Sequence, residues 1–117
     1  MNKKYIIRKN EEIQDIIKNA KKHVNKYFIV YFLNNNLSYN RYCVSVSKKL
    51  GKAHTRNLYK RRIKDIIMKF KYNNSCDYVI ILRKSVLEVD YDKMKNELST
   101  LIKGEWKWKK IHLKRLY

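Results

Sequence analysis

The residues with the clearest chemical capacity are cations at helical spacing. Arg56, Lys60 and Lys64 recur at i, i+4 and i+8, and at roughly 100° per residue they form one row along a helix. Asn57 and Arg61 fall on the outer side of that row, and an apolar stripe of Tyr59, Ile63, Ile66, Ile67 and Phe70 falls on its inner side. Lys48, Lys49 and Lys52 lead into the same helix, whose first backbone N–H groups also attract phosphate. A solvated charged face is the usual fate of such a run. Here Asp65 is the only acidic residue of the helix, so i, i+4 ion pairing cannot account for so many like charges. A ridge that meets a phosphate backbone is the better account.

Residues that could break bonds are poorly grouped. Asp90 and Asp92 are the one close pair of aspartates, and a helix start explains them, one as cap and one in the first turn. His23, His54 and His112 are far apart, and none has an evident acidic orienter. His54 fits an extra phosphate contact or a bystander better than a general base. Cys43 and Cys76 lie in strand-like runs with no CxxC partner, so buried free thiols are expected rather than a metal or redox site. No catalytic or metal-binding residue is assigned to the chain.

The charge distribution points the same way. The net charge is +19, and residues 41–72 alone carry 11 basic side chains against 1 acidic, whereas residues 73–102 carry 4 against 5. Charge that concentrates in one segment marks a binding face for a polyanion, which also relieves self-repulsion. Nucleic acid fits through counterion release. Base-edge DNA readers such as zinc fingers leave no signature here, while an A-form RNA helix is gripped by backbone and shape, so RNA is expected and DNA is not. The longest apolar run, Tyr27 to Leu33, is seven residues, short of the ~20 of a spanning helix. The chain's start turns charged again after Ile7, without a secretory pattern. A soluble, cytoplasmic, monomeric protein with no membrane partner is expected.

At 117 residues, with no proline, two glycines, no repeats and no linker, one domain over 1–117 is expected. Asn10 can cap a helix whose stripe is Ile13, Ile16, Ile17 and Ala20, with Glu11 and Glu12 in its first turn. Lys26 to Leu33 reads as a strand, NNNLSYN as a turn and RYCVSVS as a returning strand, together a hairpin. Gly51 breaks the chain before the basic helix, expected from Ala53 to Lys71. A strand follows from Asp77 to Arg83, and Asp90 caps a third helix with Met94, Leu98, Leu101 and Ile102 inward. The order α-β-β-α-β-α, with room for a fourth short strand, predicts an α/β (α+β) two-layer sandwich.

Specific residues add a family resemblance. Arg41 to Ser47 followed by Lys48, Lys49, Leu50 and Gly51 resembles the R-x-G-x-S-V-S-K-K-[IVL]-G segment of the bacterial ribonuclease P protein. Arg56-Asn57-Leu58-Tyr59-Lys60-Arg61-Arg62-Ile63-Lys64 resembles that family's RNR motif, R-N-R-x-K-R-x-x-[RK]. Lys9-Asn10-Glu11 and Asp77-Tyr78-Val79 through Arg83-Lys84 resemble flanking family segments in order and spacing. The resemblance implies a cofactor of a catalytic RNA that removes the 5′ leader of precursor tRNA, with Mg²⁺ entering through the RNA. It implies that Arg56, Asn57, Lys60, Arg61 and Lys64 meet the catalytic RNA, and Lys48, Lys49 and Lys52, which lead into the same helix, are expected to join them. It further implies a leader cleft at Ile13, Ile17, Tyr31, Ser45 and Ser47. For the fold it implies a ribosomal-protein-S5-like sandwich with a left-handed βαβ crossover, where general rules favour a right-handed one. Leu58 stands at the third place of RNR, Ile13 and Ile17 stand where the family has cleft phenylalanines, and Cys43 replaces a strand glycine.

Two rival classes compete with this reading. A ribosomal or RNA-chaperone protein with no associated reaction accounts for charge and fold but not for the Ser45–Lys64 block. Membrane-surface binding by Trp106 to Tyr117, where aromatic and basic residues interleave, suits an interface but equally suits RNA stacking or packing on the core.

Overall fold

In the computed structural model, residues 3–70 and 74–102 are described. Helix α1 runs Asn10–Asn19, and three strands follow: β1 Lys21–Val24, β2 Phe28–Asn34 and β3 Arg41–Ser45. A 3-10 turn at Lys48–Leu50 leads into α2, Ala53–Met68, then β4 at Cys76–Leu82. A third helix, α3, covers residues 91–102. The expected fourth short strand is β1. Expectations for 71–73 and for the tail beyond 102 lie outside the described residues.

The sheet order is β1-β2-β4-β3, antiparallel except for the parallel pair β3/β4. The expected hairpin is therefore corrected: β2 and β3 are consecutive but β4 lies between them. Two physical reasons account for this. β4 (CDYVIIL) is buried at every position but Ile81, so it needs a neighbour on each side and takes the centre. The intervening loop, besides its internal bonds, also binds the start of β4. Asn40 Oδ1 accepts from the N–H groups of Asn74 and Cys76 at 3.2 and 3.0 Å. Asn35 N–H donates to Ser75 O at 2.9 Å, and Asn35 Nδ2 donates to Asp77 Oδ1 at 2.9 Å. α2 is the crossover of the parallel unit β3-α2-β4, the βαβ to which the resemblance assigns its handedness. Gly51 carries φ +150 where the chain leaves the 3-10 turn for α2, a backbone state that favours glycine.

Alternation along the strands divides the core. Phe28, Val30 and Phe32 of β2, Tyr78, Ile80 and Leu82 of β4, and Tyr42 of β3 share one face. Tyr59, Ile63, Ile66 and Ile67 of α2 and Met94, Leu98 and Ile102 of α3 pack on it. The predicted stripes of both helices are thus the ones that face inward, with Phe70 and Leu101 at the margin. Val79, Tyr31, Leu33 and Cys43 face the other way, against Ile13, Ile16 and Ile17 of α1. Helix α1 therefore adds a partial third layer to the two expected. Asp90 accepts from Lys93 N–H at 2.9 Å, the expected cap. Asn10 does not cap α1: it is the first helical residue, and Lys9 in the cap position offers no side-chain bond.

Candidate RNA-binding site

Helix α2 presents the cations as its periodicity requires. Tyr59, Ile63, Ile66 and Ile67 are buried, Arg56, Lys60 and Lys64 are half-buried beside them, and Asn57 and Arg61 are exposed further out. Lys48, Lys49 and Lys52 are exposed ahead of the helix. None of these eight side chains makes an ion pair among the described residues. Arg56 Nε is buried with no hydrogen-bond partner among the described residues, so the guanidinium keeps an unspent donor there. Asp65 does not neutralise the ridge. It sits on the far flank, accepting from the Tyr91 hydroxyl and pairing with Lys69 at 3.4 Å, which ties α2 to α3. The Tyr91 bond, more than Lys69, holds the Asp65 carboxyl below its ordinary pKa. Arg62 lies on that flank too, its guanidinium 5.1 Å from the Tyr59 ring centre.

The sheet face under α1 carries the other group of expected site residues. Strand register sets out three rows: Leu33, Asp77 and Arg41; Lys22, Tyr31, Val79 and Cys43; and Val24, Ile29, Ile81 and Ser45. Ile13, Ile17 and Tyr31 come together in one cluster with Ile16 and Val79. Ser45 shares this face but lies one row beyond Tyr31 and is exposed. Ser47 is past the strand end, where its carbonyl accepts from Leu50 N–H at 3.1 Å. The last row stays largely uncovered, and Val24 retains 49% of its exposure. Together these residues form an open apolar shelf beside the basic ridge.

A charged hub fixes α1 over the shelf. Arg41 donates through Nε to Asp77 Oδ1 at 2.8 Å and through Nη2 to Asp77 Oδ2 at 2.6 Å. The same Nη2 reaches Glu12 Oε1 of α1 at 2.7 Å. The bond to Asp77 is the main reason the guanidinium pKa rises, against the lowering effect of burial. Sequence reasoning missed this hub, because Arg41 and Asp77 are 36 residues apart and each reads as a strand-end charge. It also missed Lys22, which shares Tyr31's row on a strand too short to announce itself.

Cys43 joins ridge and shelf. Burial pushes its thiol pKa up, while Lys60 and Lys64 pull it down. At pH 8 iodoacetamide is expected to alkylate Cys43 more slowly than a free cysteine, and more slowly still in a Lys60→Met/Lys64→Met variant. Mass spectrometry of the quenched time course measures both. Unchanged labelling in the variant would show that the two ammonium groups do not act on the thiol.

Fold and site define the class: an α+β protein that carries a cationic ridge along one helix beside an apolar shelf, an arrangement suited to a polyanion. A ribonuclease P family model matches residues 1–105. The ribonuclease P protein component of Mesoplasma florum is 41% identical over 105 residues, covering 87% of this chain and 96% of the relative. That of Streptococcus pyogenes serotype M5 is 36% identical over 104 residues, covering 88% and 87%. The structure of the Staphylococcus aureus RNase P protein superposes with a TM-score of 0.76 at 33% identity, covering 85% of this chain and 93% of that one. The RNase P protein from Thermotoga maritima gives 0.76 at 32%, covering 81% and 92%. The chain belongs to the ribonuclease P protein family. Its role is that of the protein component of this endoribonuclease, which works with an RNA subunit in tRNA 5′-leader processing.

Proposed function

We propose that the α2 ridge, Arg56, Asn57, Lys60, Arg61 and Lys64 with Lys48, Lys49 and Lys52 ahead of it, grips phosphates of the RNA subunit. The shelf of Ile13, Ile17, Tyr31 and Ser45, with Ser47 at its exit, takes the single-stranded leader of precursor tRNA. The observation that carries this reading is the row of half-buried cations without acidic partners among the described residues, one of them with an unspent buried donor, running beside a partly uncovered apolar face. Phosphate contacts of this kind position an RNA without reading its sequence. The chemistry belongs to the RNA, with Mg²⁺ held by its phosphates. Five carboxylates among the described residues are engaged structurally: Glu12 and Asp77 on Arg41, Asp65 on Tyr91 and Lys69, Asp90 on a helix start, and Glu97 on Lys93. In this reading the protein acts as a cytoplasmic monomer on the ribonucleoprotein.

The test is precursor-tRNA cleavage by a bacterial ribonuclease P RNA at low Mg²⁺, with and without the protein, beside the protein alone. Leader removal is expected only when both are present. Tight RNA binding that never rescues cleavage would overturn the assignment, as would cleavage by the protein alone. Tyr31→Ala probes the shelf. Stacking of one base on an aromatic ring contributes about 1–3 kcal/mol, so the KM for leader-bearing precursor is expected to rise on the order of tenfold. Affinity for the RNA subunit should stay the same. Equal losses for substrates with and without a leader would remove Tyr31 from the shelf's function.

A further inference from the structure

The segment before α1 lies along the outer edge of β3. Ile7 N–H donates to Tyr42 O at 2.9 Å, and Ile6 forms a parallel bridge with Tyr42. Where this segment, β3 and α2 meet, a cavity of about 110 Å³ remains. Ile6, Ile7, Cys43 and Val44 give it apolar walls, together with buried Tyr42, and Lys60 and Lys64 line the side toward the ridge. Two ridge cations therefore border a hydrophobic hole.

We propose that this cavity is a binding pocket for one unstacked nucleotide, its base between Ile6, Ile7, Cys43 and Val44 and its phosphates on Lys60 and Lys64. Three features select that ligand. An apolar cavity on the order of 150 Å³ takes one aromatic ring, so this smaller volume has room for a single six-membered ring at most, and the two lysines that line it favour a ligand that also carries phosphate. The two lysines stand one helical turn apart, about 6 Å along the axis, a separation that phosphates on either side of an extruded base can span. The charge reaches into the pocket, since both lysines act on the Cys43 thiol. The inference deepens the proposal that the ridge lies on RNA: it adds that an extrahelical pyrimidine is held there by its base as well as by its backbone. A free pyrimidine nucleotide presents the same chemistry, and the experiment separates the two sources.

Cys43 supplies the handle. It is half-buried, and the other cysteine, Cys76, is buried with 1% exposure, so a thiol reagent selects Cys43. Benzyl methanethiosulfonate converts Cys43 to a mixed disulfide whose ring fills the cavity, with methanesulfinate as leaving group. RNA-subunit affinity of the full chain is then measured across a salt series, before and after labelling and again after dithiothreitol. Labelling is expected to weaken binding on the order of tenfold without changing the salt slope, and reduction is expected to restore it. Ile6→Trp, which fills the pocket from another lining position, should repeat the loss. Lys60→Met/Lys64→Met should instead flatten the slope by roughly 0.7–0.9 per lysine.

In a second arm, uridine 5′-monophosphate and orthophosphate are compared as protectors of Cys43 against alkylation. Protection by the nucleotide alone supports the pocket. If it comes without any labelling effect on RNA affinity, the ligand is a free nucleotide. Protection by orthophosphate to the same degree, or unchanged RNA affinity together with no nucleotide protection, overturns the proposal. Failure of the unlabelled protein to bind RNA at all would overturn the reading of the ridge instead, and leave the nucleotide arm to decide the pocket.

Discussion

Replacing Arg56 and Lys60 together by alanine is expected to weaken binding to the ribonuclease P RNA on the order of 100-fold at fixed salt, and to flatten the salt dependence by about two phosphate contacts. A charge-assisted hydrogen bond contributes roughly 1.5–3 kcal/mol, and neither side chain has an acidic partner among the described residues to which that energy already belongs. Arg56 has a further reason to count. Its Nε is buried with no partner among the described residues, so a side-chain shift that brings it to an RNA oxygen satisfies a donor whose desolvation is already complete. Folding should not suffer. The pair removes two like charges from a chain of net +19, and the buried stripe of Tyr59, Ile63, Ile66 and Ile67 is untouched. Filter binding across a salt series and thermal unfolding measure the two effects separately. An unchanged slope would show that the ridge does not lie on phosphate, and a large fall in Tm would show that the residues act through the fold.

The parts of this molecule that were legible in its sequence share a cause: each is specified by residues close along the chain. Helix α2 is the clearest instance, since one period sorts Ile63 and Ile66 inward, Lys60 and Lys64 to the shoulder and Arg61 outward. Asp90 announces its cap because the N–H it accepts from is three residues away. Strand partners are another matter. The patterns of β2 and β3 state that each is a strand, but what decides their neighbour is the burial of β4 on both faces and the bonds from Asn35 and Asn40 to its first residues, more than 30 positions distant. A polar turn between two strands suggests a hairpin only while no third strand competes for the gap. Of the candidate site, the ridge lay on one helix and so could be placed from spacing. The shelf is assembled from α1 and four strands, and its members could be named only through the family resemblance, which left Lys22 and Ile81 unremarked. The Arg41 hub and the cavity beside Cys43 leave no local trace, because each exists only where separate elements meet.

Arg41→Ala is expected to cost about 3–5 kcal/mol of stability, because it strands a buried carboxylate. Asp77 is only 5% exposed, and without the guanidinium it keeps one side-chain donor among the described residues, Asn35 Nδ2. Denaturant unfolding should show the loss at unchanged m-value. Arg41→Lys should recover part of it, since one ammonium cannot reproduce the paired bonds to Asp77 and the reach to Glu12 at once. A variant with Arg41→Met and Asp77→Leu then separates fold from function. Replacing both members of a buried pair by apolar residues of similar size is often neutral or stabilising, so stability should return to near the parent level. The tie from Arg41 to Glu12 would still be gone, and with it the charged anchor that holds α1 above Tyr31 and Val79. In precursor-tRNA cleavage this double variant should bind the RNA subunit normally, because α2 is unaltered, yet show a raised KM for leader-bearing substrate alone. If its KM matches the parent, apolar packing of Ile13, Ile16 and Ile17 positions α1 without help, and Arg41 serves stability only. If its affinity for the RNA subunit falls instead, the hub supports the ridge rather than the shelf.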